Sequence, residues 1–366
     1  MIVVVKIGTN SVIGPGGGVD GAAVGKLSRE LAALRENEHK VVLVTSGAVA
    51  AGVAAISADS GRIVPGDPVS LQALSAIGQH RLMRHYDDAF RELGLLTGQV
   101  LLAPIDFGHR GRYLHARETL MRLIGLGVVP IVNENDAIAD DEIRFGDNDR
   151  LAALVAHLLR ADVLVLLTDM AGLFSADPRF DSGATLIEEV KEIDHVLEQA
   201  AGGPASDAAK GGMASKLAAA KMAAWSGVRT VIAAAERPGV LGDAVGGVVP
   251  VGTVFLAHDR SLPARKLWIA FALRPKGQIL VDAGARGAIV QRGTSLLAAG
   301  VREVRGHFVP EDAVEIAGPD GTVFAKGLAK LGTDRSAEWV GRRSSDLPEE
   351  LAGEVVHRDD LVVLAI

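Results

Sequence analysis

The chain has 366 residues, a length that suggests two or three domains. Apolar residues make up 48% and charged residues 23%, a composition typical of a folded globular protein, which excludes the disordered and fibrous classes. It contains no cysteine, and this excludes disulfide scaffolds, thiolate metal sites and cysteine nucleophiles. Lys and Arg number 38 against 45 Asp and Glu, and the net charge of -7 argues against a general nucleic-acid-binding surface.

Short β-branched runs alternate with segments of helical periodicity through the first two thirds of the chain. The predicted strands are Ile2–Ile7, Lys40–Thr45, Gln99–Ala103, Val128–Val132, Val163–Thr168 and Val228–Ala234. The predicted helices are Ala22–Arg35, Leu71–Leu93, Leu114–Ile124, Arg150–Leu159 and Met213–Trp225. Because the strands are almost continuously apolar, they indicate a parallel sheet buried on both faces. The pattern predicts an α/β fold, a three-layer αβα sandwich with a mostly parallel sheet.

The pattern changes near residue 276, where brief strand-like pieces separated by Gly-rich turns begin. They are Gln278–Val281, Val301–Val304, Ala313–Ala317, Val323–Gly327 and Leu361–Ile366, and they predict a small β-barrel-like domain. We therefore expect a first domain at 1–258, a linker at 259–275 and a second domain at 276–366. The second domain has 11 Lys and Arg against 14 Asp and Glu, a local charge of -3, which speaks against RNA binding.

One glycine-rich segment matches a phosphate-binding pattern only superficially. Gly16, Gly18 and Gly21 satisfy G-x-G-x-x-G, but the dinucleotide fingerprint requires its first glycine directly after a strand. Gly16 instead lies nine residues beyond Ile7, so we interpret the segment as a flexible loop.

Two lysines are better placed to bind an anion. Lys6 lies at the carboxyl end of the first predicted strand, where open α/β sheets bind their ligands. Lys216 follows Gly211-Gly212 at the start of a predicted helix, where free N–H groups attract phosphates. Either feature alone is weak, because glycine pairs are common in turns and strand-end lysines are common on surfaces.

Polar clusters follow the other predicted strands or precede the next helix. They are Thr45-Ser46-Gly47, Asn133 to Asp136, Gly146 to Asp149 and Thr168-Asp169. Each Asp or Asn taken singly is explained equally well as a helix cap or an Asx-turn. Because the carboxyl ends of parallel strands lie on one edge of a sheet, four such clusters together predict a common crevice.

These motifs resemble those of the glutamate 5-kinases (γ-glutamyl kinases) of the amino-acid kinase superfamily, which carry a C-terminal PUA domain. The resemblance rests on VVKIGT, VTSGAVAAG, PIVNENDA, FGDNDRLAA, LLTDMAGLFSADPR, GGMASKLAAAK, RKLWI and GQILVDAGARGAIVQRGTSLL, in the expected order. It implies transfer of the ATP γ-phosphate, with Mg2+, to the side-chain carboxylate of L-glutamate. This is the first step of proline biosynthesis in that family. It also implies feedback inhibition by proline and a glutamyl-phosphate reductase as a partner. The sequence shows neither a membrane span nor a signal peptide, which predicts a cytoplasmic enzyme. We expect a homodimer or homotetramer.

The resemblance also implies roles for individual residues. Lys6 and Lys216 correspond to the pair that neutralises the migrating phosphoryl group, and Asp149 and Asp169 to groups that organise the lysines or Mg–ATP. The implied glutamate-binding residues are Ser46, Asp136, Asp147 and Asn148. The implied nucleotide-binding residues are Lys6, Thr168, Asp169, Lys210, Gly211, Gly212, Met213, Ala214, Ser215 and Lys216. Lys210 departs from the family's usual threonine, and it is either an added cation beside the phosphates or a solvated loop lysine.

This inventory suits the chemistry. A carboxylate nucleophile is already ionised at neutral pH, so the reaction needs positioning and cations rather than a general base. We expect Asp136 to pair with the substrate ammonium, and Asn148 with nearby backbone N–H groups to hold carboxylate oxygens. The alternative is an RNA-binding or regulatory PUA protein with a vestigial kinase domain.

Overall fold

The computed structural model describes residues 1–60, 66–138, 148–194, 197–198, 212–258, 262–342, 344–346 and 353–364. It divides into two compact units, Met1–Ser261 and Leu262–Ile366. Among the described residues, no helix combines the length and the apolarity that crossing a membrane requires.

The described part of the first unit contains an eight-stranded sheet in the order β3-β4-β2-β1-β5-β7-β8-β6. Its strands are β1 (Ile2–Ile7), β2 (Lys40–Val44), β3 (Thr97–Leu102), β4 (Val129–Glu134), β5 (Val163–Thr168), β6 (Glu189–Val190), β7 (Arg229–Ala234) and β8 (Thr253–Phe255). Neighbouring strands are parallel except that β8 runs antiparallel to β7. The carboxyl ends of β1, β2, β4 and β5 therefore lie at one edge of the sheet.

Helices cover both faces of this sheet. They are α1 (Gly21–Glu36), α2 (Ala48–Ser60), α3 (Pro68–Glu92), α4 (Arg110–Gly125), α5 (Asn148–Leu159), α6 (Met213–Trp225) and α7 (Val240–Gly246). Apolar side chains of α1, α3 and α7 share one core with Val3, Val5 and Ile7 of β1. Helices α5 and α6 pack together on the opposite face. The three-layer αβα sandwich predicted from the sequence is confirmed.

Alternation along β1 decides which layer Lys6 faces. Because successive side chains of a strand point to opposite faces, Lys6 lies opposite to Val5 and Ile7 and faces the layer of α5 and α6. A lysine in a buried strand is costly unless its ammonium is paired. The partner must therefore come from one of those two helices.

The close packing of α2 against α3 depends on two glycines. A Cβ on Gly78 would lie 1.7 Å from the Ala48 carbonyl oxygen, and one on Gly52 would lie 2.0 Å from the Leu74 carbonyl oxygen. Both distances are far below van der Waals contact, so only glycine permits this approach. The contact fixes α3 against the first turn of α2.

The described part of the second unit is built on a six-stranded sheet in the order β10-β14-β13-β12-β9-β11. Its strands are β9 (Gly277–Val281), β10 (Leu296–Leu297), β11 (Val301–Gly306), β12 (Ala313–Ala317), β13 (Val323–Ala329) and β14 (Glu354–Val363). Three short helices accompany them, α8 (Ala264–Leu267), α9 (Ala283–Arg292) and α10 (Thr333–Glu338), and a π-helical turn spans Trp268–Ala272. The sheet is antiparallel apart from the parallel pair β9 and β12.

Most elements lie within two or three residues of the predicted bounds, and the omissions are specific. The sequence analysis left out α2 and α9, whose small and mixed residues give little helical amphipathicity, and the short elements α7, α8, α10, β6, β8 and β10. Strand β14 begins seven residues before the strand predicted at its end. The glycine-rich segment at 16–21 leads into the start of α1, which is capped by a side chain. The Asp20 carboxylate accepts hydrogen bonds from the N–H groups of Ala22 and Ala23.

Candidate active site

The two anion-binding lysines meet on a single carboxylate. Lys6 Nζ lies 2.7 Å from Asp149 Oδ1, and Lys216 Nζ lies 3.2 Å from Asp149 Oδ2. The hydroxyl of Ser215 donates to Asp149 Oδ2 at 3.1 Å. All three charged residues are at most 3% exposed. Helix α5 thus supplies the anion, and β1 and α6 supply one cation each.

The cluster carries a net positive charge in a buried place. Burial opposes ionisation of Asp149, but the ammonium groups of Lys6 and Lys216 outweigh burial and hold the pKa of Asp149 below its usual value. Burial lowers the pKa of Lys216, Asp149 opposes that shift, and the Lys6 ammonium reinforces it. Two cations sharing one anion have charge left to neutralise a phosphate.

A cavity of about 330 Å³ lies beside this cluster. It is lined by residues 46–50, which end the connection from β2 and begin α2, and by Thr9, Leu71, Asn133, Asp136 and Asn148. Gly47 allows the connection because its φ of +107° is strained for other residues. The N–H groups in the first turn of α2 lack partners within the helix and favour anionic ligands. The cavity and the lysine cluster meet at the start of α5, where Asn148 lines the cavity and Asp149 holds the lysines.

Asp136 provides a carboxylate at the cavity wall. It is 8% exposed, and its Oδ2 accepts a hydrogen bond of 2.9 Å from the hydroxyl of Ser75 on α3. Burial raises the pKa of Asp136, and the Ser75 hydrogen bond offsets only part of that shift. A cationic ligand group would favour the ionised form, so the position suits an ammonium group.

The Asn148 side chain differs from the sequence expectation. Its amide nitrogen faces three protein acceptors, namely the Thr45 carbonyl at 2.6 Å, Asn133 Oδ1 at 2.7 Å and the Ser46 hydroxyl at 3.0 Å. Its Oδ1 is buried and has no hydrogen-bond partner among the described residues. Asn148 therefore offers a ligand an acceptor rather than the donor to carboxylate oxygens that we expected.

The candidate nucleotide-binding residues lie at the end of β5 and the start of α6. Thr168 is buried at the end of β5, and its hydroxyl donates to the exposed carboxylate of Asp169 at 2.9 Å. Asp169 lies close enough to Lys216 for its negative charge to oppose, in part, the lowering of that lysine's pKa by burial. Helix α6 begins after Gly212 with no side-chain cap, so the N–H groups of its first turn, at Met213, Ala214 and Ser215, suit a phosphate. A carboxylate, a lysine and an uncapped helix start together fit a magnesium–nucleotide complex.

Comparison with known proteins agrees with this architecture. Residues 1–234 match the model of the amino acid kinase family. Glutamate 5-kinase from Trichlorobacter lovleyi is 46% identical over 368 residues, covering 99% of this chain and 96% of the relative. Glutamate 5-kinase from Geobacter sulfurreducens is 44% identical over 370 residues, covering 99% and 97%. The chain belongs to the amino acid kinase family.

Two further comparisons concern the fold and the second unit. A carbamate kinase from Giardia lamblia bound to AMP-PNP matches with a TM-score of 0.51 at 18% identity, covering 70% of this chain and 98% of that one, which shows the amino acid kinase fold alone. Residues 277–351 match the PUA domain model. The resemblance drawn from the motifs, to glutamate 5-kinases with a C-terminal PUA domain, is confirmed by these matches.

The structure brings together most of the residues singled out in the sequence. Ser46, Asp136 and Asn148 line the cavity, while Lys6, Asp149, Lys216 and Ser215 form the adjoining cluster. Asp147, Lys210 and Gly211 lie outside the described residues. Asp149 lies within the first turn of α5, but its carboxylate pairs with the lysines, so the helix-cap interpretation is wrong. The catalytic and binding roles assigned from this amino acid kinase resemblance stay predictions.

Sequence reasoning missed two polar residues beside the cavity, Ser75 and Gln79, which support the site from α3. Asn133, named in the sequence only as part of a polar cluster, lines the cavity. A signal for Ser75 and Gln79 was present, because both fall on the apolar face of a predicted amphipathic helix, where a polar residue needs a partner. The partner itself could not be read from the sequence.

Proposed function

We propose that the chain transfers the γ-phosphoryl group of ATP to the side-chain carboxylate of L-glutamate, forming L-glutamyl 5-phosphate for proline biosynthesis. One observation carries this proposal: a cavity lined by Asp136 adjoins a buried cluster in which Lys6 and Lys216 share Asp149. The relatives named glutamate 5-kinase match from end to end and support the same activity. An RNA-binding protein with a vestigial kinase domain is not favoured, because the lysine pair and its carboxylate are intact.

In the proposed step, an oxygen of the glutamate side-chain carboxylate attacks the γ-phosphorus. The new carboxyl O–P bond forms as the bond to the bridging oxygen of ADP breaks, and ADP leaves with the electron pair. No proton is removed from the nucleophile, because the carboxylate is already ionised at neutral pH. The barrier comes from bringing two anions together, and Lys6 and Lys216 lower it by neutralising the transferring group.

The cavity orients glutamate by its other end. The α-ammonium group pairs with the Asp136 carboxylate and donates to Asn148 Oδ1, the acceptor that has no described protein partner. The first-turn N–H groups of α2 and the Ser46 hydroxyl donate hydrogen bonds to oxygens of the substrate α-carboxylate. This arrangement directs the side-chain carboxylate toward the start of α5, where Asp149 holds the two lysines.

ATP is held at the opposite side of the cluster by the start of α6, by Thr168 and by Asp169. Mg2+ would neutralise and orient the phosphate oxygens when bound, and Asp169 is the acidic side chain that would hold it. The chain's own contribution is the pair of ammonium groups, which Asp149 keeps in place before either substrate binds. Lys210 and Gly211, which lie outside the described residues, are further proposed nucleotide-binding residues.

Four further proposals concern inhibition, a partner enzyme, location and oligomeric state. Proline inhibits by occupying the α-ammonium and α-carboxylate subsites without supplying a side-chain carboxylate. The acyl phosphate product is labile in water, so a glutamyl-phosphate reductase consumes it as a partner enzyme. The chain works in the cytoplasm as a homodimer or homotetramer.

The activity is tested by glutamate-dependent ADP formation, with hydroxylamine trapping the acyl phosphate. L-Glutamate should support turnover, whereas N-acetyl-L-glutamate should not, because its acylated nitrogen cannot pair with Asp136. L-Aspartate, one methylene shorter, should be a poor substrate, since its carboxylate falls short of the lysines. Equal turnover with N-acetyl-L-glutamate would contradict the assigned substrate orientation, and no turnover with L-glutamate would refute the proposed function.

A further inference from the structure

Two polar side chains on the buried face of α3 contact residues that line the cavity. Ser75 and Gln79 are one helical turn apart and are 4% and 8% exposed. Ser75 donates to Asp136 Oδ2 at 2.9 Å, and Gln79 Oε1 accepts from Asn133 Nδ2 at 2.6 Å. Neither residue lines the cavity itself. Their partners, however, form its wall.

Backbone groups determine the orientation of the amides in this network. The Asn133 oxygen accepts from the Glu134 N–H at 2.9 Å, so its nitrogen must point to Gln79. The Asn148 nitrogen donates to the Thr45 carbonyl, which can only accept, so its oxygen is the atom left for a ligand. The hydrogen bond of 2.7 Å from Asn148 to Asn133 joins the two amides. Gln79 is therefore the remote end of a chain of hydrogen bonds that presents Asn148 Oδ1.

Gln79 has only one of its two polar ends satisfied within the described chain. Its Oε1 accepts from Asn133, whereas its Nε2 is buried without a described partner. Such an orphan donor costs stability, so the acceptor is what Gln79 contributes to the site. An apolar side chain of similar shape would remove the orphan and the acceptor together. Stability and site geometry can therefore be separated experimentally at this position.

We infer that Ser75 and Gln79 are positioning residues, which hold Asp136 and, through Asn133, Asn148 in the orientation that binds the substrate ammonium. Gly78 lies between them on α3 and seals that helix against Ala48 and Gly52 of α2, whose first turn lines the cavity. Helix α3 therefore fixes one wall of the cavity through its backbone contact with α2. Its side chains orient the two groups that bind the ligand, Asp136 and Asn148. The inference rests on the proposed function.

The test is steady-state kinetics on the full chain, with L-glutamate and ATP varied in turn. Gln79→Met should raise the KM for glutamate about three- to tenfold, the value of one hydrogen bond, while kcat and the KM for ATP change less than twofold. Gln79→Glu keeps an acceptor for Asn133 and should lie closer to the unaltered protein. Ser75→Ala should likewise raise the glutamate KM, and Ser75→Thr, which keeps the hydroxyl, should restore it.

Two matched controls separate positioning from general loss of packing. Ser28→Ala removes a buried hydroxyl that has no described partner, on α1, and Gln99→Met makes the glutamine change on an exposed strand position. Both should leave every kinetic constant unchanged. An unchanged glutamate KM in Gln79→Met and Ser75→Ala would overturn the inference while leaving the proposed function intact. Failure of Gln79→Glu and Ser75→Thr to keep the glutamate KM near that of the unaltered protein would also overturn it. The same holds if kcat falls and both KM values rise by equal factors. Absence of glutamate-dependent turnover in the unaltered protein would overturn the proposed function, and the inference with it.

Discussion

Replacing Lys216 by Met should abolish most turnover while leaving the fold intact. The change removes one of the two ammonium groups that share Asp149 and reduces the net charge of that cluster from +1 to zero, with Asp149 still paired to Lys6 at 2.7 Å. Loss of one preorganised charge-stabilising group of this kind costs about 2.7–4 kcal/mol in the barrier, or about 10² to 10³ in kcat. Because burial opposes the charge of Lys216, the unfolding free energy should change little.

The assay is ADP formation at saturating glutamate and ATP, with thermal unfolding followed on the same samples. Lys221→Met is the matched control, because Lys221 lies on the same helix but forms a part-exposed ion pair with Glu198 at 2.6 Å. It should retain turnover within about twofold, as expected for a surface pair. A Lys216→Met protein that is folded and turns over within tenfold of the unaltered chain would refute the assigned role of the lysine pair.

Two further predictions concern pH and packing. Burial raises the pKa of Asp136, and this carboxylate must be ionised to bind the substrate ammonium. The kcat/KM for glutamate should therefore fall as the pH is lowered, and the fall should begin at a higher pH than it would for an aspartate of ordinary pKa. Asp136→Asn should remove this acidic fall from the measured pH profile. Gly78→Ala places a Cβ 1.7 Å from the Ala48 carbonyl and should lower the unfolding free energy by about 1–3 kcal/mol or more in denaturant titration. Gly111→Ala, in open space on α4, should leave stability unchanged or raise it, and equal losses in both variants would contradict the packing argument.

The parts of the fold that follow from local periodicity were predictable. β1 and β5 have the bounds expected from the apolar pattern and α5 lies within two residues of them, because buried parallel strands and amphipathic helices carry distinct repeats. Helix α2 was not predicted, since a segment rich in Ala has little amphipathic signal. Its first turn nevertheless forms part of the cavity, so one wall of the site had no counterpart in the sequence analysis.

The candidate site was predictable in its residue types and less so in its contacts. The position of Lys6 at the carboxyl end of a strand and of Lys216 after a glycine pair identified both lysines as anion-binding candidates. Their common carboxylate, Asp149, also had a satisfactory explanation as a helix cap, and no local pattern could decide between the two. The direction of the Asn148 amide was likewise beyond sequence reasoning, because it depends on acceptors contributed by β2 and β4.

The amino-acid sequence by itself determined the alternation of strands and helices, the change to a β-rich second domain, and the placement of polar clusters at strand ends, since each of these is a property of neighbouring residues. Only the tertiary structure decided that β1, α5 and α6 meet at Asp149 and that α3 supports the cavity through Ser75 and Gln79. Those contacts join residues far apart in the chain. They depend on the order of strands in the sheet, on the layer each helix occupies, and on hydrogen bonds that no local pattern encodes.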